Sequence, residues 1–264
     1  MSSPLFAGPV GGSRYREAPP GSAVADVVAC RWAGSGGWDR TLRLVPDGCA
    51  DLVWDGSALV LVGASPTAGR FPVAATARNV GLRLRPGAGA AVAGCPASEL
   101  AGAVPLEDLW GTAATRRLAA ALAAAPGAAA QLRALEEAVA RRVADGPGPD
   151  PLVAAAVAEL AQPGATVEGA GRAVGLSARE LRRRCATHVG FGPKGLHRVL
   201  RFRAFLRRAP LVAAGARSLA GAAADAGYAD QSHLGRECRR LTGSSPAELV
   251  GRWAAAAETA GSAV

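Results

Sequence analysis

In the first third of the chain, apolar residues come in short runs, each closed by a turn-forming residue. Thr41–Val45, Cys49–Trp54, Ala58–Val62 and Arg78–Arg85 are four such runs, bounded by Pro, Gly, Asp or Asn, and this texture predicts β-strands. Pro46-Asp47-Gly48 and Asp55-Gly56-Ser57 supply turns at a spacing that suits a meander. From Pro96 onward the pattern becomes helical. Pro96–Ala103 and Leu106–Trp110 read as short helical pieces, Thr112–Ala124 and Ala128–Val143 as longer helices on either side of Pro126-Gly127. In the second of these, Leu132, Leu135, Val139 and Arg142/Val143 fall on one stripe. Such a stripe serves the domain's own core or a homodimer.

Asp145-Gly146-Pro147-Gly148-Pro149 is the clearest linker in the chain. Asp150-Pro151 then restarts structure, with Asp as N-cap and Pro at the first helical position. At 264 residues the chain is long enough for two cores. The predicted domains are 1–145, β-rich with helices, and 151–264, all helical.

The second half contains an internal repeat. Leu181, Cys185, Gly190, Pro193 and Leu196 correspond to Leu234, Cys238, Gly243, Pro246 and Leu249 at one constant offset, and Arg183 corresponds to Arg236. Gly175 corresponds to Gly227 with one residue of slip, so the second turn is longer. Each copy reads as helix, Gly turn, helix. Ser177-Ala178-Arg179-Glu180 and Ser245-Pro246-Ala247-Glu248 are capping boxes, and Ser218 and Asp230 are further N-caps. In the second helix of copy one, Leu181, Cys185 and His188/Val189 point inward, while Arg179, Arg182, Arg183 and Ala186 face out. In copy two, Leu234, Cys238 and Leu241 go inward, leaving Gln231, Ser232, Gly235, Arg236 and Arg239 outside. Pro193–Arg208 joins the copies as one helix. Its apolar stripe is Leu196, Val199, Phe202 and Leu206, its basic stripe Lys194, Arg198, Arg201 and Arg208.

Charge sharpens this picture. Residues 1–150 carry 14 Lys/Arg against 13 Asp/Glu, whereas residues 151–264 carry 16 against 8. The basic excess therefore lies where the repeat lies, as a polyanion-binding domain requires. Two short helices across a tight Gly turn, the second presenting Arg and Gln, have the form of a helix-turn-helix. Arg pairs with guanine and Gln with adenine in the major groove, while Lys194 and Arg201 on the connecting helix suit phosphates. Double-stranded DNA is the expected partner.

Tyr228-Ala229-Asp230-Gln231-Ser232-His233-Leu234, followed by Arg236, Gly243 and Pro246, resembles the signature of the AraC/XylS family of bacterial regulators. Gly190-Phe191-Gly192-Pro193-Lys194 resembles the same family's segment after its first recognition helix. The resemblance covers residues ~151–253. It implies a transcription factor with two helix-turn-helix subdomains in successive major grooves, and RNA polymerase as a further partner. Arg179, Arg182 and Arg183 then fall where the first helix touches bases, and Gln231, Ser232 and Arg236 where the second does. The chain departs from the family at Cys185 and Cys238, where Phe is usual, and at Gly235. Gly169 and Gly171 lie inside a supporting helix, where each costs roughly 1 kcal/mol relative to Ala, which predicts a looser first unit. Pro46-Asp47-Gly48 with Asp51-Leu52, Gly81-x-Arg83-x-Arg85-Pro86-Gly87, and Leu109-Trp110-Gly111 resemble an uncharacterised domain often found ahead of AraC-type domains. That resemblance implies a small cupin-like β-barrel followed by helices.

Signs of other functions are missing. The three histidines, His188, His197 and His233, all lie in the second half, so the first domain lacks the imidazoles of a cupin metal site. No phosphate loop, dinucleotide fingerprint or nucleophile elbow is present. The five scattered cysteines form no C-x-x-C pair and do not supply the zinc site of a DNA-repair methyltransferase with an AraC-like domain. No enzyme, cofactor or metal is expected. Asp47, Asp51 and Asp55 recur every four residues across a turn and a strand, which favours turn capping. Reduced thiols, the absence of a signal peptide pattern in Met1–Pro20 and the lack of a long apolar run predict a soluble cytoplasmic protein without a membrane partner. For the first domain two readings stand: it binds a small-molecule effector, with Trp32, Trp38, Trp54 and Phe71 as pocket walls, or it is a structural or dimerising module with those aromatics as its core.

Overall fold

The computed structural model describes residues 14–35, 40–73 and 78–252. The first half carries eight strands among the described residues: β1 Arg14–Ala18, β2 Val28–Ser35, β3 Arg40–Leu44, β4 Ala50–Trp54, β5 Leu59–Val62, β6 Gly69–Val73, β7 Arg78–Leu84 and β8 Ala103–Pro105. Four helices belong with them: α1 Gly89–Ala93, α2 Leu106–Trp110, α3 Thr112–Ala124 and α4 Ala128–Ala144. The second half is helical, with α5 Pro151–Leu160, α6 Val167–Ala173, α7 Ala178–Val189, α8 Pro193–Leu206, α9 Ala209–Ala213, α10 Leu219–Asp225 and α11 Gln231–Thr242. A last helix starts at residue 246.

Six strands form one antiparallel sheet in the order β1-β2-β7-β4-β5-β8, and β3 pairs with β6. The β2–β7 register ends with Ser35 opposite Arg78, and the β3–β6 pair starts with Arg40 opposite Val73. Helices cover one face of the sheet. Leu52, Leu61, Leu82 and Leu84 from that face pack with Leu106, Leu122, Leu135 and Val139 into the first core. Each buried leucine contributes about 1.5–3 kcal/mol. The stripe on α4 is thus buried in its own domain. Trp54 belongs to this core and is 3% exposed, so it walls no pocket; strand alternation places it on the helix-covered side.

A bulge between Val28 and Cys30 shifts the alternation in β2. Val28 faces the helices, whereas Cys30 and Trp32 join Val53 on the opposite face. That face also carries Glu17, Asp51 and Arg83, whose side chains meet in a buried cluster. Pro96–Ala103 departs from the helical expectation. Ala97–Glu99 is a single 3-10 turn, and Ala103–Pro105 pairs with β5 at the sheet's edge, where a proline's missing N–H is tolerated.

In the helical half, the connecting helix α8 is a pillar shared by two cores. Leu196 and Leu200 pack with Val153, Leu160, Leu181, Cys185 and Val189, while Val199, Phe202, Phe205 and Leu206 pack with Tyr228, Leu234, Cys238, Leu241 and Leu249. Leu200 and Phe205 lie off the single apolar stripe read from sequence because α8 has a neighbour on each side. Gly171 answers a packing need: a Cβ there would stand 3.1 Å from the Leu176 carbonyl and 3.6 Å from Leu181. Its cost in helix propensity is the condition for close approach of α6 to the Gly turn.

Candidate nucleic-acid interface

The repeat in sequence is a repeat in structure. Helices α7 and α11 each span 12 residues. Each ends on a left-handed glycine, Gly190 at φ 100° and Gly243 at φ 67°. The turns before them hold Gly175 at φ 68° and Gly227 at φ 80°. Supporting helices α6 and α10 each span 7 residues and are capped alike, by Thr166 Oγ1 accepting from Gly169 N at 2.9 Å and by Ser218 Oγ accepting from Gly221 N at 3.0 Å. Helix α7 starts on Ser177, whose Oγ accepts from Glu180 N at 3.2 Å, and α11 on Asp230, whose carboxylate accepts from His233 N at 2.6 Å. The box at Ser245 is reciprocal, Ser245 N donating to Glu248 Oε2 at 2.6 Å and Glu248 N to Ser245 Oγ at 3.2 Å. At Ser177, by contrast, Glu180 turns away to pair with Arg184 and Arg183.

The helix α7 presents Arg179, Arg182 and Arg183 to solvent, and Arg183 is 67% exposed despite a loose 3.8 Å pair with Glu180. On α11, Gln231, Ser232, Arg236 and Arg239 are exposed. Lys194 is exposed at the start of α8. Two residues depart from the outward reading. Gly235 is buried, the Arg239 guanidinium lying 3.7 Å from where its Cβ would be. Arg201 stacks over the Tyr228 ring at 5.1 Å and donates to the Gly227 carbonyl at 3.4 Å. This guanidinium is engaged in the turn of unit two, a role set by tertiary position and invisible in the helical period. Arg198, read as part of the basic stripe, instead pairs with the buried Glu237 at 2.9 Å and ties α8 to α11.

Cys185 and Cys238 are fully buried. Burial pushes their thiols up to about 11 and about 12 respectively, so at neutral pH neither supplies appreciable thiolate. Both are expected to resist a disulfide thiol reagent in the folded protein, with Cys95, the half-buried one, reacting first. Rapid modification of Cys185 or Cys238 without unfolding would contradict this.

Of the candidate effector walls, Trp38 lies outside the described residues, as does the Phe71 side chain. Trp32 donates through Nε1 to Asp51 at 2.9 Å. Asp47 and Asp55 do cap turns, accepting from Cys49 N at 2.8 Å and from Ala58 N at 2.7 Å. Asp51 departs from that expectation and pairs with Arg83 instead, at 3.4 Å.

The two halves touch near the ends of both outward helices. Ala68 N donates to the Leu241 carbonyl on α11 at 2.8 Å, and Val45 packs against the core of unit two. Helix α1 and the Ala97–Glu99 turn lie against α7. Gly190 sits so close that a Cβ there would be 3.0 Å from the Ala97 carbonyl.

This geometry and the family comparisons agree. Residues 170–252 match a family described as a helix-turn-helix domain, of AraC type, and residues 16–105 match a domain of unknown function, DUF6597. The chain is thus similar to an AraC-type helix-turn-helix domain over its last third and to DUF6597 over an earlier third. No curated protein matches the chain. Among solved structures, a lysine-to-alanine variant of apo ToxT from Vibrio cholerae is similar at 11% identity and a TM-score of 0.40, covering 91% of this chain and 96% of that one. Among the described residues no helix is long and apolar enough to cross a membrane.

Proposed function

We propose that the chain regulates transcription by reading DNA through α7 and α11, placed in successive major grooves, with the first domain modulating that reading in response to a small molecule. The observation that carries it is the duplicated unit: two recognition helices of equal length, capped alike, each offering exposed Arg side chains on the side away from its core. Arg179, Arg182 and Arg183 on one helix and Gln231, Ser232, Arg236 and Arg239 on the other are the base-reading and backbone-positioning groups. Lys194 contacts phosphate. Arg201 acts indirectly, by holding the turn before α11. We place the division between the domains at 145–150, with DNA binding in 151–264. The matched helix-turn-helix family favours a regulator over an enzyme.

A gel shift with the full-length protein and the promoter fragments of its own genome tests the reading. Specific binding is expected, with affinity falling steeply as salt rises because displaced counterions return to the phosphates. A footprint from one chain should show two base-contacted segments with centres ~10 bp apart. Retention of no fragment at low salt would overturn the function.

A further inference from the structure

We propose that the turns Pro46-Asp47-Gly48 and Arg85-Pro86-Gly87 form a seat for unit one of the helix-turn-helix half, and that this seat holds α7 in the position from which it reads DNA. This deepens the function proposed above by naming the surface through which the first domain acts on a reader, and it rests on that reading.

Both turns bring bare backbone against the helical half. In the second, Ala88 N donates to the Arg85 carbonyl at 2.9 Å, with Pro86 and then a left-handed Gly87, φ 93°, between them, the residue order of a type II turn. In the first, Asp47 accepts from Cys49 N, and Gly48 lies at φ 78°. The turns adjoin, since a Cβ on Gly48 would fall 3.6 Å from the Pro86 ring. Each glycine then faces a different helix of unit one. A Cβ on Gly87 would stand 2.9 Å from Val153 Cγ1 on α5, and one on Gly48 would stand 3.4 Å from Leu196 Cδ1 on α8. Val153 and Leu196 are fully buried and share one core with Leu181 and Cys185 of α7. The first domain therefore closes one side of that core. The second turn also runs straight into α1, whose five residues are all buried and which lies against α7.

The seat reaches α7 through α5 as well. Asp150, the N-cap of α5, pairs with Arg184 of α7 and lies 3.3 Å from His188 Nε2 on the same helix. A shift of Val153 off its seat carries that anchor with it. Unit two has ties of its own: Arg198 to Glu237, and Arg201 to the Gly227 carbonyl, hold α11 and its turn to α8. To these the first domain adds the Ala68–Leu241 hydrogen bond and Val45. With unit one seated, Arg179, Arg182 and Arg183 remain exposed. Seating thus orients the reader and does not mask it, and bidentate contacts to base edges depend on such placement.

The test compares Gly87→Ala with Gly56→Ala in the full-length protein. Gly56 is also left-handed, at φ 98°, but the nearest atom to a Cβ there is the Arg78 carbonyl oxygen at 4.0 Å. Both substitutions bring backbone strain of the same kind, and only the first presses on α5. In hydrogen exchange, Gly87→Ala is expected to speed exchange across 151–190 and leave 219–242 unchanged, with Gly56→Ala altering neither. On operators substituted one base pair at a time, Gly87→Ala is expected to weaken binding about 3- to 10-fold. The lost preference should fall in the segment read by Arg183 and spare the one read by Arg236. The proposal is overturned if the two variants behave alike, if exchange or base preference changes equally in both units, or if Gly87→Ala tightens binding. Should Gly87→Ala fail to fold by circular dichroism, exchange of the unsubstituted protein in rising denaturant decides. There α5 and α7 are expected to open together with α1 and β7, and their opening while β7 stays closed overturns the seat. Exchange needs no DNA, which keeps the two readings apart. The expected exchange pattern with no promoter fragment retained sinks the regulator reading alone, and specific DNA binding without that pattern sinks the seat alone.

Discussion

Arg236→Ala is expected to weaken binding to the cognate site by about 10- to 100-fold, equivalent to ~1–3 kcal/mol, and to relax preference at one or two base pairs. Arg236 is exposed on α11 one turn after Ser232, near the helix N-terminus, where a guanidinium reaches the edge of a base. Its side chain has no ion pair among the described residues, so its removal leaves the fold of unit two intact. Arg183, the equivalent residue on α7, is expected to act alike but on a different segment, ~10 bp away. The measurement is a competition binding series over operators substituted one base pair at a time. If both substitutions altered preference at the same positions, or neither altered any, the two helices would not be separate readers.

The largest loss of stability is expected from Arg83→Met, about 3–5 kcal/mol by denaturant titration. Arg83 is 5% exposed, and its removal strands Glu17, Asp47 and Asp51 without their common counter-charge. The sign of the pH dependence follows. Carboxylates left unpaired in a buried site have folded-state pKa values above their unfolded ones. Their protonated forms therefore favour the folded state, fully so below the unfolded pKa, and that stability is lost as pH rises through the folded pKa. Asp51 is already shifted upward with Arg83 present. The deficit of the variant should thus be greatest at neutral pH and shrink on acidification toward the ordinary carboxylate range. A deficit independent of pH would show that Arg83 matters for packing alone.

What was legible in the sequence follows from which forces are local. Helix α3 spans Thr112–Ala124, the limits its pattern predicts, because a Gly before it and Ala125-Pro126 after it punctuate the chain. The second half was legible because a duplication makes caps, turns and buried positions repeat, and the chain's own second copy supplied the comparison. Strands β1 and β2 were missed for a physical reason. Arg14, Arg16 and Arg31 interrupt any apolar alternation, and the bulge after Val28 reverses which residues point inward. Helix α1 is built from Gly, Ala and Val only, too small a set to mark a face. The charged cluster was not legible either. Glu17 and Arg83 meet across 66 residues of sequence, and a charged side chain in a strand reads as surface until the sheet is assembled. The outward residues of α7 and α11 were found from helical period alone, whereas Arg201 needed Tyr228 in place.

Under the proposed reading of DNA by α7 and α11, the shared pillar α8 decides what a target site looks like. Its 14 residues make a rod roughly 21 Å long, and both ends are fixed in packed cores, so the two readers have little freedom to slide or swivel. A target is then a pair of short words at one set gap. One extra base pair between the words carries the second around the helix axis by about 34° and along it by ~3.4 Å, given ~10.5 bp per turn. Stretched and squeezed sites should drop out together, and a search for targets can hold the gap constant while letting the letters vary.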